Sequence, residues 1–286
     1  MANLKEIRNR ISSVSSTMQI TSAMKMVSAA KLKKAQDAIT AMRPYSNKLT
    51  ELLQGLSATL DADSGSKFAE QREVNKVLIV AITSNRGLCG AFNSNVIKQV
   101  NHLINGTYSR KDISILAIGK KANDTFSKTN NVIDNKSDLF DDLTFENAAE
   151  IAQMLMDEFD AGNYDKIELV YNSFKNAATQ VVRIEQFLPI VPVEQDDNTN
   201  LDYIFEPSKA EIVNTLIPKS LKTQLFKAVR DSFASEHGAR MTAMHKATDN
   251  ATELRDQLKL TYNKARQAAI TNEILEIVGG AEALNS

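Results

Sequence analysis

The sequence predicts a mixed α+β and α/β fold, in which a long antiparallel coiled coil of N- and C-terminal helices carries an inserted open-sheet α/β domain. Three observations predict it. Apolar residues recur at steps of three and four from Leu4 to Leu60. Short runs of branched apolar residues, typical of buried strands, fill the middle of the chain. A helical pattern then returns and continues almost to the last residue. The predicted segments are residues 1–60, 74–206 and 208–286.

The N-terminal segment has the pattern of a helix that needs a partner helix. Thirteen of its seventeen positions at steps of three and four are apolar, and a seam held over so many heptads is typical of a coiled coil. A bend or break is expected at Pro44, because proline removes a helix hydrogen bond. Polar seam positions cluster at Thr21, Lys25 and Ser28. They indicate either a locally loosened coil or a patch that meets something other than the partner helix.

The middle segment alternates between strand and helix patterns after a polar stretch at residues 61–73, which is typical of a linker. The predicted elements are strands at residues 77–82, 113–118, 167–174 and 181–188, helices at residues 92–104, 120–128 and 143–159, a polar loop at residues 194–200 and an edge strand at residues 202–206. Four residues separate two of the strands, which suits a hairpin. The alternation therefore predicts an open sheet with an antiparallel edge.

The C-terminal segment is too long to be buried by the rest of the chain. Residues 218–278 contain one proline, at the first position, and one glycine, Gly238. A continuous helix of this length would run about 90 Å at 1.5 Å per residue. It must therefore pack against another long helix, another protein, or both. Pro218 is expected in the first turn of a helix, where its missing N–H does no harm.

Composition excludes several classes of protein. The net charge is −1, so whole-chain charge predicts no partner, but residues 1–48 hold nine basic and two acidic side chains while residues 134–165 hold ten acidic and one basic. One end is therefore expected to carry a positive face. Cys89 is the only cysteine, which excludes an intrachain disulfide. No apolar run approaches the roughly 18 residues of a membrane span and no signal core is present, so a soluble cytoplasmic protein is expected.

The glycine-containing loop at residues 86–90 is the main candidate for chemistry. It follows a predicted strand and precedes a helix, where α/β proteins bind phosphates, but it lacks both standard phosphate-loop motifs. Cys89 beside Arg86 would be a nucleophile only with a positioned base. A tight turn with a packed cysteine is therefore the favoured interpretation.

The remaining candidates for binding are weaker still. The histidines His102, His237 and His245 lie on distant segments and lack metal-binding spacing. The basic N-terminal helix lacks the dense basic segment or interleaved aromatic residues of nucleic-acid binders. We expect no catalytic residue, metal, cofactor or nucleic acid. An α/β nucleotide-binding enzyme and a coiled-coil adaptor stay open as alternatives.

Four long motifs resemble the gamma subunit of F-type ATP synthases, of bacterial type. They are KEIRNRISSVSSTMQITSAMKMVSAAKLKKAQ (residues 5–36), SNRGLCGAFN (84–93), SEHGARMTAMHKATDNA (235–251) and YNKARQAAITNEILEIVGGAEAL (262–284). The resemblance implies the central rotating stalk that couples ion-driven c-ring rotation to ATP synthesis or hydrolysis in the alpha/beta ring. It implies one copy per complex, with alpha, beta and epsilon subunits and the c-ring as partners. It further implies a peripheral position on the cytoplasmic face of the bacterial membrane and no catalytic role for the chain itself.

The resemblance also implies contact residues. Those for the alpha/beta ring are Met24, Lys25, Arg240, Met241, Arg266, Gln267, Ile270, Ile274 and Ile277. Those for the c-ring or epsilon, in the foot formed by the α/β domain, are Tyr203 and Glu206. The tip at residues 268–284 suits a bearing, because apolar contact is non-directional, whereas Lys25 and its basic neighbours would give an angle-dependent energy.

The sequence departs from the family pattern at several places. Asn85 stands where aspartate is more frequent, and Ala91 and Phe92 where glycine and an aliphatic residue are common. Gly238 replaces a frequent alanine, which costs about 1 kcal/mol of helix stability and indicates a soft spot. The cysteine pair of the chloroplast redox switch is absent, and the lack of a transit peptide favours a bacterial source.

Overall fold

The computed structural model describes residues 4–57, 67–190 and 209–285. Its helices are α1 (Leu4–Ser57), α2 (Phe92–His102), α3 (Lys120–Phe126), α4 (Phe145–Asp160) and α5 (Lys209–Asn285), and its strands are β1 (Lys76–Ile82), β2 (Asp112–Ile118), β3 (Asn131–Asn135), β4 (Lys166–Phe174) and β5 (Gln180–Leu188). Single helical turns lie at Lys67–Ala69, Leu103–Thr107 and Ser137–Phe140. The predicted loop at residues 194–200 and edge strand at residues 202–206 lie outside the described residues.

The described sheet has the strand order β3-β2-β1-β4-β5. β1 pairs in parallel with β2 and β4, and β2 pairs in parallel with β3. β5 pairs antiparallel with β4 at the edge. Every residue of β1 after Lys76 is fully buried, as expected for a parallel strand covered on both faces. The predicted open sheet with an antiparallel edge is confirmed.

Helices cover both faces of the sheet. One face packs on α4 and α5, through residues such as Leu155, Phe159 and Leu225. The other packs on α2 and α3, through residues such as Val100 and Phe126. The predicted helix at residues 143–159 is confirmed as α4, which begins at the N-cap Thr144, whose side chain accepts a hydrogen bond from the backbone N–H of Asn147. This layered arrangement holds α5 against the sheet.

Two features of the middle segment escaped sequence analysis. β3 is short, and its side chains alternate between exposed and half-buried, so its apolar signal is weak. Part of the predicted linker is structured: the guanidinium of Arg72 lies 4.9 Å from the ring centre of Phe159 and donates to the backbone oxygen of that residue at 3.0 Å. Phe68 packs against the core on the α4 side of the sheet.

Both prolines of the long helices lie inside them, so a break at Pro44 and a helix start at Pro218 are wrong, whereas a bend at Pro44 stays a prediction. α1 continues through Pro44, and α5 begins nine residues before Pro218. Buried neighbours explain why the helical conformation persists at these sites. Leu49 follows Pro44 and Ile217 precedes Pro218, and both side chains are about 95% buried, so packing outweighs the lost hydrogen bond.

The chain divides into two compact units, Met1–Ser28 with Met241–Ser286, and Ala29–Arg240. Within the first unit the helices are antiparallel: Thr21 contacts Thr248, and the earlier residue Met18 contacts the later residue Thr252. The predicted antiparallel coiled coil is therefore confirmed. Thr21 and Ser28 are buried, so for Thr21 the idea of contact with something other than the partner helix is wrong.

Candidate interaction surface

The distal part of α5 is apolar but uncovered. Each residue from 266 to 281 is exposed, including Ile274 at 55% and Ile277 at 67%. Ile270, Ile274 and Ile277 recur at steps of four and three, so they share one face of the helix. A continuous exposed apolar row of this kind marks a site of interaction. We define the tip from here on as residues 266–281, which include residues 268–281 of the tip expected from the sequence.

The register of the helix pair explains why the tip is uncovered. Thr21 opposes Thr248, and in an antiparallel pair of equal rise the same register brings Leu4 near Ala265. Both of these residues are half-buried. Beyond Ala265, α5 therefore has no opposing residue in the described part of α1.

The outer face of α1 carries a second exposed apolar group. Ile20, Met26 and Val27 are 60%, 65% and 58% exposed. They flank the predicted contact residues Met24 and Lys25, which are half-buried. Sequence analysis missed Ile20 and Val27, although apolar residues seven apart and off the seam are a recognisable signal of a second helix face.

The other predicted residues of this unit also lie on accessible helix surface. Arg266 and Gln267 are the first two residues of the exposed tip, and Met241 is half-buried. Thr271 donates its hydroxyl hydrogen to the backbone oxygen of Gln267 at 2.9 Å. This bond involves the backbone of Gln267 and not its side chain. Tyr203 and Glu206 lie outside the described residues.

Arg240 differs from the other predicted contact residues, because its side chain is used inside the chain. It is only 7% exposed. Its Nη1 lies 2.6 Å from Oε1 of Glu236, and its Nη2 donates to the backbone oxygens of Arg86 and Gly87 at 3.0 and 3.2 Å. These contacts attach α5 to the loop after β1. The predicted contact of Arg240 with a partner subunit stays a prediction.

The loop at residues 84–90 is a tight, internally bonded turn. Leu88 and Gly90 adopt left-handed backbone conformations, with φ of 61° and 58°. The Ser84 hydroxyl donates to the backbone oxygen of Arg86 at 2.6 Å. Cys89 is 2% exposed, and burial raises the pKa of its thiol. The thiol is therefore held in the neutral form, which is not the nucleophilic one.

Asn85 uses both ends of its side-chain amide. Its Nδ2 donates to the backbone oxygen of Ser137 at 2.9 Å, and its Oδ1 accepts from the backbone N–H of Lys120 at 3.0 Å. An aspartate carboxylate could accept the second bond but not donate the first. The departure from the family pattern at Asn85 thus has a local structural reason.

A buried polar stretch of α5, residues 231–240, was not anticipated from the sequence. His237 is 5% exposed, and neither of its ring nitrogens has a hydrogen-bond partner in the described structure. Its ring packs edge-on against Phe233 at 4.5 Å. Burial, with Arg240 and Lys31 as nearby cations, lowers its pKa to about 4. The signal that was available is the run of small residues Ala234, Ser235, Gly238 and Ala239, which permits close approach of other backbone.

None of the described helices combines the length and hydropathy that crossing a bilayer requires. Over the same residues, His, Cys, Asp and Glu side chains form no group of three suited to a metal ion. The exposed apolar faces of the helices are accordingly the features that distinguish this chain.

The comparison with known proteins identifies the family. The model of the family described as ATP synthase matches residues 3–284. The ATP synthase gamma chain of Flavobacterium psychrophilum is 76% identical over 285 residues, which cover 99% of each chain. This chain belongs to the ATP synthase gamma chain family. The family resemblance found in the sequence is therefore confirmed.

Solved structures agree with the gamma chain fold. A chain in the rotor of the Euglena gracilis mitochondrial ATP synthase, in rotational state 1, superposes with a TM-score of 0.67 at 23% identity. That match covers 93% of this chain and 98% of the Euglena chain. A chain of the central stalk and c-ring of the Tetrahymena thermophila mitochondrial ATP synthase gives a TM-score of 0.61 at 26% identity, covering 80% of this chain and 99% of that one. The predicted fold class is confirmed over nearly the whole chain.

Proposed function

We propose that this chain is the central rotating stalk of a bacterial F-type ATP synthase, which couples rotation of an ion-driven c-ring to ATP synthesis or hydrolysis in the alpha/beta ring. The observation that carries the proposal is the exposed apolar tip of α5 in a member of the gamma chain family. Relatives bear the gamma chain name, and the solved neighbours belong to a rotor and to a central stalk with its c-ring. The partners are alpha, beta and epsilon subunits and the c-ring, with one copy of this chain in each complex.

The tip has the chemistry of a bearing. Most of its large side chains are apolar, and Arg266, Glu273 and Glu276 are the only charged residues from 266 to 281. Apolar contact depends on buried area and has little directional preference. A surrounding apolar sleeve in the alpha/beta ring would therefore hold the tip without fixing its angle.

The basic face of α1 suits an interaction whose energy depends on the angle of rotation. Lys25 is half-buried on the helix and stands beside the exposed Met26 and Val27. An acidic segment of a catalytic subunit would interact with Lys25 by an energy that changes with distance and hence with angle. Met24, Arg240, Met241, Arg266 and Gln267 are the further contacts proposed for the ring.

The inserted α/β domain would form the foot of the stalk on the c-ring and epsilon, with Tyr203 and Glu206 among its contacts. Buried polar and apolar contacts hold α5 to the sheet, including the bonds from Arg240 to the loop after β1. Torque applied to the foot would pass into α5 through these contacts. The chain itself supplies no catalytic residue, and it would reside peripherally at the cytoplasmic face of the membrane through its partners.

Affinity purification of the tagged chain from its native host tests the proposal. Co-purification of alpha, beta and epsilon subunits with ATPase activity is expected. Stable isolation of the chain by itself, with nucleotide binding or salt-dependent DNA binding, would instead favour an enzyme or an adaptor. A single-molecule assay with a bead on the foot would then show whether the chain turns during hydrolysis.

A further inference from the structure

The seam between α1 and α5 contains a layer in which two hydroxyl groups face each other. Oγ1 of Thr248 lies 2.8 Å from Oγ1 of Thr21. Thr21 is 9% exposed, and Thr248 is half-buried. Oγ1 of Thr21 also lies 3.1 Å from the backbone oxygen of Met18, and Oγ1 of Thr248 lies 2.8 Å from the backbone oxygen of Met244. The layer is thus a direct polar contact between the two helices.

The hydrogens of this layer link the two helices. Each hydroxyl has one hydrogen and two acceptor lone pairs. When either threonine donates to the other, the second can still donate to the backbone oxygen of its own helix. Two arrangements of the hydrogens therefore join α1 to α5, and both leave every hydroxyl hydrogen bonded.

Neighbouring contacts extend the link in one direction. Oγ1 of Thr252 lies 3.3 Å from Sδ of Met18 and 2.9 Å from the backbone oxygen of Thr248, and Nη1 of Arg255 lies 3.5 Å from the same sulfur. Thr248, Thr252 and Arg255 follow one another at steps of four and three, so they lie on the face of α5 that meets α1. The polar contacts form a short ladder along the seam.

The apolar layers around this ladder discriminate poorly between registers. Leu4, Ile7 and Ile11 on α1 would meet small or apolar residues of α5 in several alignments, such as Ala251, Leu258 and Ala265. Apolar contact tolerates such shifts because it has no preferred direction. A hydrogen bond between hydroxyls requires a donor–acceptor distance within a few tenths of an ångström of about 2.8 Å. A buried polar residue on a coiled-coil seam is an established means of setting register.

We propose that Thr21 and Thr248 are positioning residues that set the axial register of the two helices of the stalk. Twisting a pair of helices makes them slide past each other, and the hydroxyl contact resists that sliding. A fixed register keeps Ile20 and Val27 on α1 aligned with the face of α5 beside them. The inference about torque rests on the proposed function, whereas the inference about register does not.

The test compares two double variants of the assembled complex. Thr21→Val with Thr248→Val keeps the shape and removes both hydroxyls, and Thr21→Ser with Thr248→Ser keeps both hydroxyls. Spin labels on cysteines placed at the exposed positions Ser13 and Gln257, in a Cys89→Ser background, report the distance between the helices by pulsed electron paramagnetic resonance. The valine pair is expected to show a second population displaced along the axis by about 5 Å, one layer of the seam. The serine pair is expected to match the parent.

Proton pumping per ATP hydrolysed is measured on the same preparations. A displaced population with several-fold weaker pumping in the valine pair, rescued in the serine pair at an unchanged melting temperature, supports the proposal. A single unshifted distance in the valine pair overturns it. A displaced population with normal pumping supports the register role and counts against the proposed function of the stalk.

Discussion

Nη1 of Arg240 lies 2.6 Å from Oε1 of Glu236, one turn earlier on α5, and about nine-tenths of each side chain is buried. Burial raises the pKa of the Glu236 carboxyl although Arg240 and other cations oppose the rise. The loss of hydration is therefore comparable with the attraction between the charges. The pair therefore stabilises the fold mainly because Arg240 also donates a hydrogen bond to the loop after β1.

Arg240→Met should therefore be strongly destabilising. It would leave the Glu236 carboxylate buried without its partner and the oxygens of Arg86 and Gly87 without their donor. A loss of about 3 kcal/mol in the free energy of unfolding is expected, measured by urea denaturation of the purified chain. Adding Glu236→Leu should recover most of the loss, because it removes the uncompensated charge. A double variant no more stable than Arg240→Met would contradict this account.

Gly238→Ala should stabilise the chain by less than a glycine-to-alanine change normally stabilises a helix. A methyl group at Gly238 would lie 3.3 Å from both Cα and the backbone oxygen of Ala177 in the β4–β5 hairpin. The gain of about 1 kcal/mol in helix propensity would be offset by this close approach. Gly238 is thus a packing site. The soft spot was expected from helix propensity alone, which does not include this packing.

Gly280→Ala is the matched control, because its added methyl group would meet nothing within 4 Å. It should show the full gain of about 1 kcal/mol as slower amide hydrogen exchange in the tip. Equal gains at the two sites, each measured by exchange of its neighbouring amides, would argue against the packing role of Gly238.

His237→Leu should remove a pH dependence of stability. The folded pKa of His237 is about 4, and its ordinary value is 6.5, so between these values the unfolded chain binds more protons. Stability from the neutral ring is fully present above pH 6.5 and is lost as the pH falls towards 4, by about 3 kcal/mol in total.

The His237 measurement is the difference between parent and variant across that range. Glu236 titrates nearby with a raised pKa, which gives a dependence of opposite sign, and Arg240 and Lys31 are the cations that face the ring. Because these groups are common to both proteins, their effects largely cancel in the difference. At pH 7 the variant should be at least as stable as the parent, since both ring nitrogens lack partners in the described structure. A parallel pH profile for the two proteins would contradict the prediction.

Deleting the residues after Glu273 should weaken assembly more than it blocks rotation. The deletion removes Ile274, Leu275, Ile277 and Val278, which are 54–67% exposed in the chain and are the large apolar residues of the tip apart from Ile270. Native gel electrophoresis should show faster dissociation of the stalk from the ring, and single-molecule assays should still show turning. A stable complex that does not rotate is the result that would refute the bearing role.

Lys25→Glu should alter torque, coupling and their dependence on salt. Reversing the charge changes an angle-dependent interaction from attraction to repulsion if an acidic segment passes this face. Pumping per ATP hydrolysed is expected to fall several-fold, and added salt should lessen the difference from the parent. Lys98→Glu makes the same charge change at an exposed position of α2 and is the control. Unchanged coupling and salt response in Lys25→Glu would exclude the role.

Most of the architecture followed from periodicity. The seam from Leu4 and the branched run before Thr83 carried enough signal to predict α1 and β1, because burial on a defined face repeats at the period of the element. β3 was missed because a short edge strand buries few side chains. The break expected at Pro44 and the helix start expected at Pro218 were wrong because propensity is local, while the helices that contain these prolines are stabilised by packing.

Some parts of the candidate site were likewise predictable from the sequence, and others were not. The tip was predictable, because the helical pattern of the C-terminal segment is too long for the rest of the chain to cover. Arg240 was not, since its backbone acceptors at Arg86 and Gly87 lie more than 150 residues away in sequence and backbone oxygens leave no mark on composition. The close approach of Gly238 to Ala177 was hidden for the same reason.

By itself, the sequence determined the two long helices, the buried sheet encoded between them in the chain and the apolar tip, because each of these depends on a repeating pattern of hydrophobicity. Only the tertiary structure decided that Arg240 bonds to the loop after β1, that Gly238 admits the hairpin, and that Thr21 meets Thr248. These contacts join residues distant in the chain through single atoms, and the geometry that selects them exists only once the elements have packed.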